Sequence, residues 1–353
     1  MLSARYFPYR FNFNFSAGTS RGILKNKDSW FIEIWDQDAP EVIGTGECSL
    51  IDGLSPDKSV AIKAMLEEVY HNINNIDDKL KRKLIEFPAI RFGLETALRD
   101  LDTGGKKILY DSPFTKGVAS IPINGLIWMG KYLEMLDRIH QKTEEGFVCL
   151  KMKVGAISFE EELKLLQLIR QEFSRESLEL RLDANGAFSA SDALTKLEKL
   201  AVFQIHSIEQ PVRPRQWELM TNLCQKSPVP IALDEELIGI SSSSELSRML
   251  DIIRPKYIIL KPSLIGGISV ANSFIQAAEN SRIGWWVTSA LESTIGLNAI
   301  AQWTYTLNSP LPQGLGTGQL FANNIESPLT IEQGRLHYRP TTSWNMDILH
   351  KNT

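Results

Sequence analysis

Residues 178–209, LELRLDANGAFSASDALTKLEKLAVFQIHSIE, predict a strand, an amphipathic helix and a second strand. The same alternation of short apolar strands and helices predicts strands at 121–124, 148–154, 178–183, 205–209, 231–234, 257–261 and 284–289, and a weak one at 314–318. About eight such units in about 200 residues are typical of a (β/α)₈ (TIM) barrel. A doubly wound sheet is the alternative, but no Gly-x-Gly-x-x-Gly motif follows a predicted strand.

The first 115 or so residues show a different pattern, of strands followed by helices. Phe11, Phe13 and Phe15 alternate with asparagines, which predicts a half-buried strand, and 30–36 and 41–49 predict two more. The polar segment 16–27 contains two glycines and predicts a flexible loop. Helical periodicity follows, so this part is expected to be a small α+β unit.

Composition excludes several classes of protein. The chain has 353 residues, with 38 Lys and Arg against 42 Asp and Glu, so a nucleic acid is not an expected partner. No apolar run reaches the roughly 20 residues of a membrane span, and Arg5 and Arg10 interrupt the N-terminus where a secretory signal would be apolar. Three scattered cysteines predict neither disulfides nor a Cys-x-x-Cys metal site. We expect a soluble, cytoplasmic protein, and whether it forms a homo-oligomer is left open.

Charged residues stand at the ends of five successive predicted strands. Asp183, Glu209 and Asp234 end three of them, and Lys153 and Lys261 end the strands on either side, at intervals of 25 to 30 residues. A single Asp after a strand is usually a helix cap, but capping does not explain the recurrence. In a barrel these positions share the catalytic face.

Strand periodicity groups further residues with this set. Lys151 lies two residues before Lys153, so both side chains are expected on one face, with Cys149 as a small apolar filler. Arg181 has the same relation to Asp183 and is expected to point inward and orient a carboxylate.

Three converging carboxylates would repel one another unless a cation neutralised them. Oxygen ligands favour Mg²⁺, with Mn²⁺ as a substitute. With Lys153 and Lys261, such a site would carry a net charge near +1 and suit a small anionic carboxylate substrate. A metal and a lysine base suit removal of a proton α to a carboxylate, because the resulting enediolate needs strong charge stabilisation.

The motifs at these positions are Lys151-Met152-Lys153, Asp183-Ala184-Asn185, Glu209-Gln210-Pro211, Asp234-Glu235-Glu236 and Lys261-Pro262. In them the chain resembles the enolase superfamily and its muconate-lactonizing-enzyme-like subgroup. The resemblance implies a modified (β/α)₈ barrel at 118–319 and an α+β capping domain at 1–117, to which segment 320–353 returns. It also implies Mg²⁺ on Asp183, Glu209 and Asp234.

Further motifs are similar to those of the o-succinylbenzoate synthase family, dehydratases of menaquinone biosynthesis. They include 289–293, 314–318, 46–49 and 19–22. The resemblance implies syn elimination of water from 2-succinyl-6-hydroxy-2,4-cyclohexadiene-1-carboxylate, with Lys153 as base, Lys261 holding the ring and Lys151 binding the carboxylate and lowering the pKa of Lys153. Expected substrate contacts are Ser289, Gly314, Leu315, Gly316 and Arg21. Segment 16–27 is expected to act as a lid.

Two neighbours of the metal motifs have open roles. Asn185 is expected to cap the next helix or to support the metal ligands. Glu235 is expected to satisfy a helix start or a nearby lysine, with metal ligation as the alternative.

Other functions remain open. N-succinylamino-acid racemase needs the same metal and both lysines, and muconate cycloisomerase is a weaker alternative. Dipeptide epimerases carry an Asp-x-Asp motif where this chain has Gly316-Thr317-Gly318. A metal-binding structural protein on an enolase-like scaffold is the non-enzyme alternative, although all five strand-end charges are present.

Overall fold

The N-terminal region forms a three-stranded antiparallel sheet in the computed structural model, which describes residues 1–19 and 22–350. Its strands are β1 (Leu2–Thr19), β2 (Gly22–Asp36) and β3 (Ala39–Ser49). Three helices follow: α1 (Ser59–His71), α2 (Asp78–Leu84) and α3 (Pro88–Asp102). Helix α3 packs directly on β3, where a Cβ at Gly46 would lie 1.8 Å from the carbonyl oxygen of Gly93. Only glycine allows this approach of helix to strand.

The prediction of a flexible loop at 16–27 is wrong for the part of that segment that the structure describes. Strands β1 and β2 continue through it as a hairpin, in which Ala17 pairs with Leu24 and Thr19 pairs with Gly22. Backbone pairing across the hairpin therefore outweighs the local polar and glycine composition, which has low strand propensity. Ser20 and Arg21 lie outside the described residues, so the expected substrate contact at Arg21 stays a prediction.

The second sheet curls into a barrel and, over the described residues, contains seven parallel strands. In spatial order they are β11 (Gly284–Val287), β10 (Tyr257–Leu260), β9 (Ile231–Leu233), β8 (Ser207–Glu209), β7 (Glu179–Asp183), β6 (Cys149–Lys153) and β5 (Gly125–Ile127). The helices outside it are α4 (Tyr132–Glu144), α5 (Phe159–Glu172), α6 (Ala193–Ala201), α7 (Trp217–Lys226), α8 (Ser243–Ile253), α9 (Pro262–Ile265), α10 (Ile268–Asn280) and α11 (Thr294–Thr306).

Two residues, Gln313 and Gly314, close the barrel between its first and last strands. The Gly314 N–H donates to the carbonyl of Val287 at 2.8 Å, and the Asn124 N–H donates to the carbonyl of Gln313 at 3.0 Å. The predicted strand at 314–318 is thus reduced to its first residue, and Thr317–Gln319 forms a 3₁₀ turn. The glycines of this segment offer few side chains to pack, which disfavours a longer strand.

The predicted strand at 121–124 is divided between two sheets. Strand β4 (Ser120–Pro122) pairs with a C-terminal hairpin of β12 (Leu329–Glu332) and β13 (Arg335–Tyr338), and the first barrel strand is β5 instead. Helix α12 (Asp347–His350) is the last element among the described residues. No helix among the described residues is long and apolar enough to cross a membrane.

The C-terminal segment also returns to the first sheet. Phe321 pairs with Phe13 of β1 through a single antiparallel bridge, and the two rings lie 4.8 Å apart. Leu320 and Ile325 are buried in the same apolar cluster. The N-terminal sheet is therefore held beside the barrel by chain from the far end of the sequence. The domain limits themselves stay predictions.

Candidate active site

The charged strand ends meet at one edge of the barrel. Strand register places Lys153 beside Asp183 and Asp183 beside Glu209. Asp234 and Lys261 directly follow β9 and β10, the next strands around the barrel. Asp183, Glu209 and Asp234 are each no more than 2% exposed. The five residues thus form one row, in which the three carboxylates are buried and the two lysines are partly exposed.

Lys151 and Lys153 project from the same face of β6 toward these carboxylates. The Nζ of Lys151 lies 2.6 Å from Oε2 of Glu209 and 3.0 Å from Oδ2 of Asp183. The Nζ of Lys153 lies 3.0 Å from Oδ2 of Asp183 and donates to Oδ1 of Asn185 at 2.6 Å. The period of two along a strand therefore brings both lysine side chains to the same face of β6, beside the carboxylates.

Lys261 approaches the row from the other side. Its ammonium group pairs with Asp234 and lies 3.9 Å from Oε1 of Glu209. The side chains of Lys153 and Lys261 are 13% and 12% exposed, and both line the same cavity. The two ammonium groups thus face the same space from opposite ends of the carboxylate row.

The pKa values of the site follow from burial and crowding. Burial, reinforced by the charge of Asp183 and opposed by Lys151, raises the pKa of Glu209 to about 8. Burial would also raise the pKa of Asp183, but Lys151 and Lys153 outweigh it and hold that pKa below its usual range. For Lys151 and Lys261, burial favours the neutral form, yet neighbouring carboxylates raise the pKa of both. Lys151 and Lys261 therefore act here as neutralising cations rather than as bases of lowered pKa.

The carboxylate row has the chemistry of a site for a hard divalent cation. Asp183, Glu209 and Asp234 offer only oxygen donors, and Oε1 of Glu209 is buried without a hydrogen bond from any described residue. In the present side-chain arrangement, no three His, Cys, Asp or Glu groups among the described residues are placed to hold a metal, because ammonium groups lie between the carboxylates. The donor set fits a metal, provided that lysine ammonium groups withdraw from the carboxylates that they pair with.

Asn185 and Glu235 support the site. Asn185 has a positive φ of 42°, its N–H donates to Oδ1 of Asp183 at 3.1 Å, and its amide group donates to Oε1 of Glu235 at 3.1 Å. Asn185 therefore links Lys153, Asp183 and Glu235. Helix capping, the alternative role for Asn185, is not what these contacts show.

Arg181 points into the barrel, but away from the carboxylate row. Its guanidinium group pairs with Glu179 at 2.7 Å, donates to the carbonyl of Pro312 at 2.9 Å and lies 4.3 Å above the ring of Trp286. The prediction that Arg181 orients a carboxylate of the site is wrong, because the carboxylate that it contacts belongs to Glu179 and not to Asp183, Glu209 or Asp234. Side chains two residues apart share a face but lie about 7 Å apart along the strand, and Arg181 contacts the strand start.

A cavity of about 220 Å³ lies above the carboxylate row. Among the described residues, the charged groups that line it are Asp52, Asp183, Glu235 and the three lysines, and most of its other lining residues are apolar. The predicted contacts Ser289, Gly314 and Gly316 all line it. Leu315 does not, since its side chain is buried in the core of the barrel. Alternation along this short segment turns it away from the cavity.

Sequence reasoning missed several lining residues. Asn124 is 4% exposed, and its Oδ1 is buried without a partner among the described residues, as is Oγ1 of Thr288. Thr288 directly follows β11, whereas Asn124 lies between β4 and β5. Asn124 ends the predicted strand 121–124, and this position could have identified it. The apolar side of the cavity is completed by Leu24, Leu126 and Trp128. Nothing in the sequence around these three residues distinguishes them from core residues.

Comparisons with known proteins agree with this geometry. The model of the enolase C-terminal domain-like family matches residues 134–342. An o-succinylbenzoate synthase of Desulfotalea psychrophila is 46% identical over 91% of this chain and 94% of that protein. The crystal structure of MenC from the same organism superimposes with a TM-score of 0.84 at 42% identity, over 95% of this chain and 99% of that one.

A more distant structure shares the fold. It is a dipeptide epimerase of Enterococcus faecalis in complex with Mg and the dipeptide L-Leu-L-Tyr, with a TM-score of 0.82 at 20% identity over 97% of this chain and 99% of that one. The matched family model spans more than half of the chain, including all five charged strand ends. This chain is therefore a member of the enolase superfamily, in the enolase C-terminal domain-like family.

Proposed function

We propose that this protein catalyses Mg²⁺-dependent syn dehydration of 2-succinyl-6-hydroxy-2,4-cyclohexadiene-1-carboxylate to 2-succinylbenzoate, a step of menaquinone biosynthesis. The observation that carries the proposal is that Lys153 and Lys261 enter one largely apolar cavity from opposite ends of a buried carboxylate row. Such a cavity suits a six-membered ring that bears carboxylates. The 46% identity to an o-succinylbenzoate synthase supports this choice of reaction.

In this proposal Lys153 performs both proton transfers. As the neutral amine it takes the proton from the carbon that bears the carboxylate, and the electron pair of that C–H bond remains on the substrate. The resulting ammonium group then gives a proton to the hydroxyl group on the same face, the C–O bond breaks and water leaves. The ring becomes aromatic, so the overall change is the loss of one water molecule.

Lys261 has a different part in this reaction. It lies across the carboxylate row from Lys153, where its charge and a cation–π contact would hold the anionic ring. Lys151 is 5% exposed and paired with two carboxylates, so it is suited to holding charge in place. Asp183, Glu209 and Asp234 would hold Mg²⁺ or Mn²⁺, which supplies charge stabilisation for the substrate carboxylate when bound.

The test is a spectrophotometric assay of the cyclohexadiene substrate, with Mg²⁺ supplied, on the wild type and on Lys153→Ala. Loss of a general base should lower the rate by at least about 10²–10⁴-fold. Lys164→Ala, on the exposed surface of α5, is the matched control and should keep the wild-type rate. Dehydration by Lys153→Ala at the wild-type rate would show that the assignment is wrong.

A racemase assay should run in parallel, because N-succinylamino-acid racemization also needs a lysine on each face. Its readout is deuterium exchange at the α-carbon of an N-succinylamino acid. Exchange without dehydration would favour the racemase. No turnover of either substrate would favour a metal-binding structural protein.

A further inference from the structure

A second group of buried charges lies beside the cavity, outside the carboxylate row. Glu47 of β3 is completely buried at the start of α11, a helix of the barrel. Its Oε2 accepts hydrogen bonds from the N–H and Oγ of Ser293, at 2.9 and 2.6 Å, and from the N–H of Gly296 at 3.1 Å. One carboxylate of the N-terminal sheet thus satisfies several donors at the start of a barrel helix.

The other oxygen of Glu47 connects to the β1–β2 hairpin. The Oγ of Ser29 donates to Oε1 of Glu47 at 2.8 Å, and Nζ of Lys27 donates to the Oγ of Ser29 at 2.9 Å. Lys27 and Glu47 also form an ion pair of 3.6 Å, with side chains 3% and 0% exposed. Lys27 lies three residues beyond Leu24, which lines the cavity. The group therefore joins the hairpin to the barrel.

The segment that Glu47 holds is a wall of the same cavity. Ala290 and Leu291 line the cavity and precede the helix start at Ser293. Leu291 has a φ of 60°, an unfavourable value for a branched side chain that the surrounding contacts must maintain. Glu292 accepts from the N–H of Ala290 at 2.6 Å and from the hydroxyl of Ser263, two residues after Lys261.

We propose that Glu47 is a positioning residue for substrate binding, which fixes the 290–291 wall by holding the start of α11 from the N-terminal sheet. The inference rests on the proposed function only in its choice of substrate. Glu47 touches no residue of the carboxylate row in the contacts described above, so its removal should loosen the wall without removing the base. Binding is then affected more than the chemical step.

The chain offers a matched control for this role. Glu95 of α3 also accepts hydrogen bonds at the start of a barrel helix, from the N–H groups of Ile268 and Ser269 at 2.7 and 2.9 Å. Neither Glu95 nor these partners line the cavity beside the carboxylate row. Glu95→Gln therefore removes a comparable contact between the N-terminal region and a barrel helix, away from the 290–291 wall.

The experiment compares Glu47→Gln, Glu95→Gln and the milder Ser29→Ala with the wild type. Glutamine keeps the shape of Glu47 but has one acceptor oxygen in place of two, so part of the hydrogen bonding is lost. In Glu47→Gln we expect KM and the Kd for 2-succinylbenzoate to rise by about tenfold, with a smaller change in kcat. Ser29→Ala should shift KM and Kd in the same direction by a smaller factor, and Glu95→Gln should leave both within about twofold of the wild type.

Values of KM and Kd within about twofold of the wild type in Glu47→Gln would overturn the proposal. So would an equal rise in Glu95→Gln, because it would indicate general destabilisation. If the Glu47→Gln variant does not fold, the Ser29→Ala variant decides by the same two readouts.

Amide hydrogen exchange at 290–296 gives a readout that does not depend on the reaction. Faster exchange in Glu47→Gln, but not in Glu95→Gln, supports the positioning role even if the wild type proves not to be a dehydratase. Unchanged exchange at 290–296 overturns it. Failure of the proposed function and failure of this inference are thereby distinguished.

Discussion

Glu162 predicts an unusual dependence of stability on pH. Its side chain lies on α5, is 1% exposed, and accepts a hydrogen bond from the N–H of Gly155 at 2.5 Å, just after Lys153. Burial raises the pKa of Glu162 from 4.5 to about 7, against the opposing effects of the Gly155 hydrogen bond and the charge of Lys196. The folded protein thus retains a proton on Glu162 that the unfolded chain loses at lower pH.

The sign and size of the effect follow from this difference. Below pH 4.5 both states hold the proton, and the stability due to the neutral group is fully present. As the pH rises from 4.5 to about 7 the unfolded state deprotonates first, so the free energy of unfolding falls. A difference of about 2.5 pKa units corresponds to about 3 kcal/mol, of which about 2–3 kcal/mol is lost between pH 5 and pH 8.

The assay is urea unfolding at pH 5 and pH 8 for the wild type, Glu162→Gln and the control Glu160→Gln. Glutamine keeps an acceptor for the Gly155 N–H but does not titrate. The difference in free energy of unfolding between Glu162→Gln and the wild type should therefore rise by about 2–3 kcal/mol, in favour of the variant, from pH 5 to pH 8. Glu160 is an exposed neighbour on the same helix, and its variant should follow the wild type. Parallel curves for the wild type and Glu162→Gln would refute the reasoning.

Two further predictions concern the metal site and the packing of glycines. Asp183→Asn should weaken Mg²⁺ binding by at least about tenfold in a calorimetric titration, because it removes an anionic oxygen ligand; unchanged affinity would rule Asp183 out. Gly46→Ala should lower the midpoint of thermal unfolding, because its Cβ would lie 1.8 Å from the carbonyl oxygen of Gly93. At Gly316 the nearest atom to an added Cβ is 3.5 Å away, so Gly316→Ala should keep the wild-type midpoint. It should raise KM, because the added methyl group narrows the cavity. A wild-type midpoint for Gly46→Ala would contradict the close approach of α3 to β3.

The strand-end charges could be predicted from sequence because two local periodicities determine them. A βα unit of 25 to 30 residues brings each strand end to the same edge of the barrel, and alternation along a strand decides which side chains point inward. Lys151 and Lys153 satisfy both conditions and lie within 3.0 Å of the carboxylates. Alternation does not show which end of the strand a side chain contacts. Arg181 points into the barrel like Asp183, but it pairs with Glu179 at the start of the strand.

Contacts between distant segments could not be predicted in this way. The pairing of 17–19 with 22–24 depends on contacts between two strands, and the composition of either strand alone favours a loop. Glu47 lies 249 residues before Gly296, and no periodicity relates a strand of the first sheet to a helix start in the barrel. Leu315 was misassigned because the barrel closes through only two residues, so its orientation depends on neighbours on both sides.

The charges of the site connect metal binding to substrate binding. Three lysines, Lys151, Lys153 and Lys261, face the three strand-end carboxylates, so the formal charges of these six side chains, with every group ionised, sum to zero although the whole chain carries −4. Their mutual ion pairs allow this many charges to be buried. A divalent cation on the carboxylates would raise the local sum to about +2 and release ammonium groups toward the cavity. The attraction for an anionic substrate would then be strongest where the metal binds, which explains how a chain of net negative charge could select a carboxylate at this cavity.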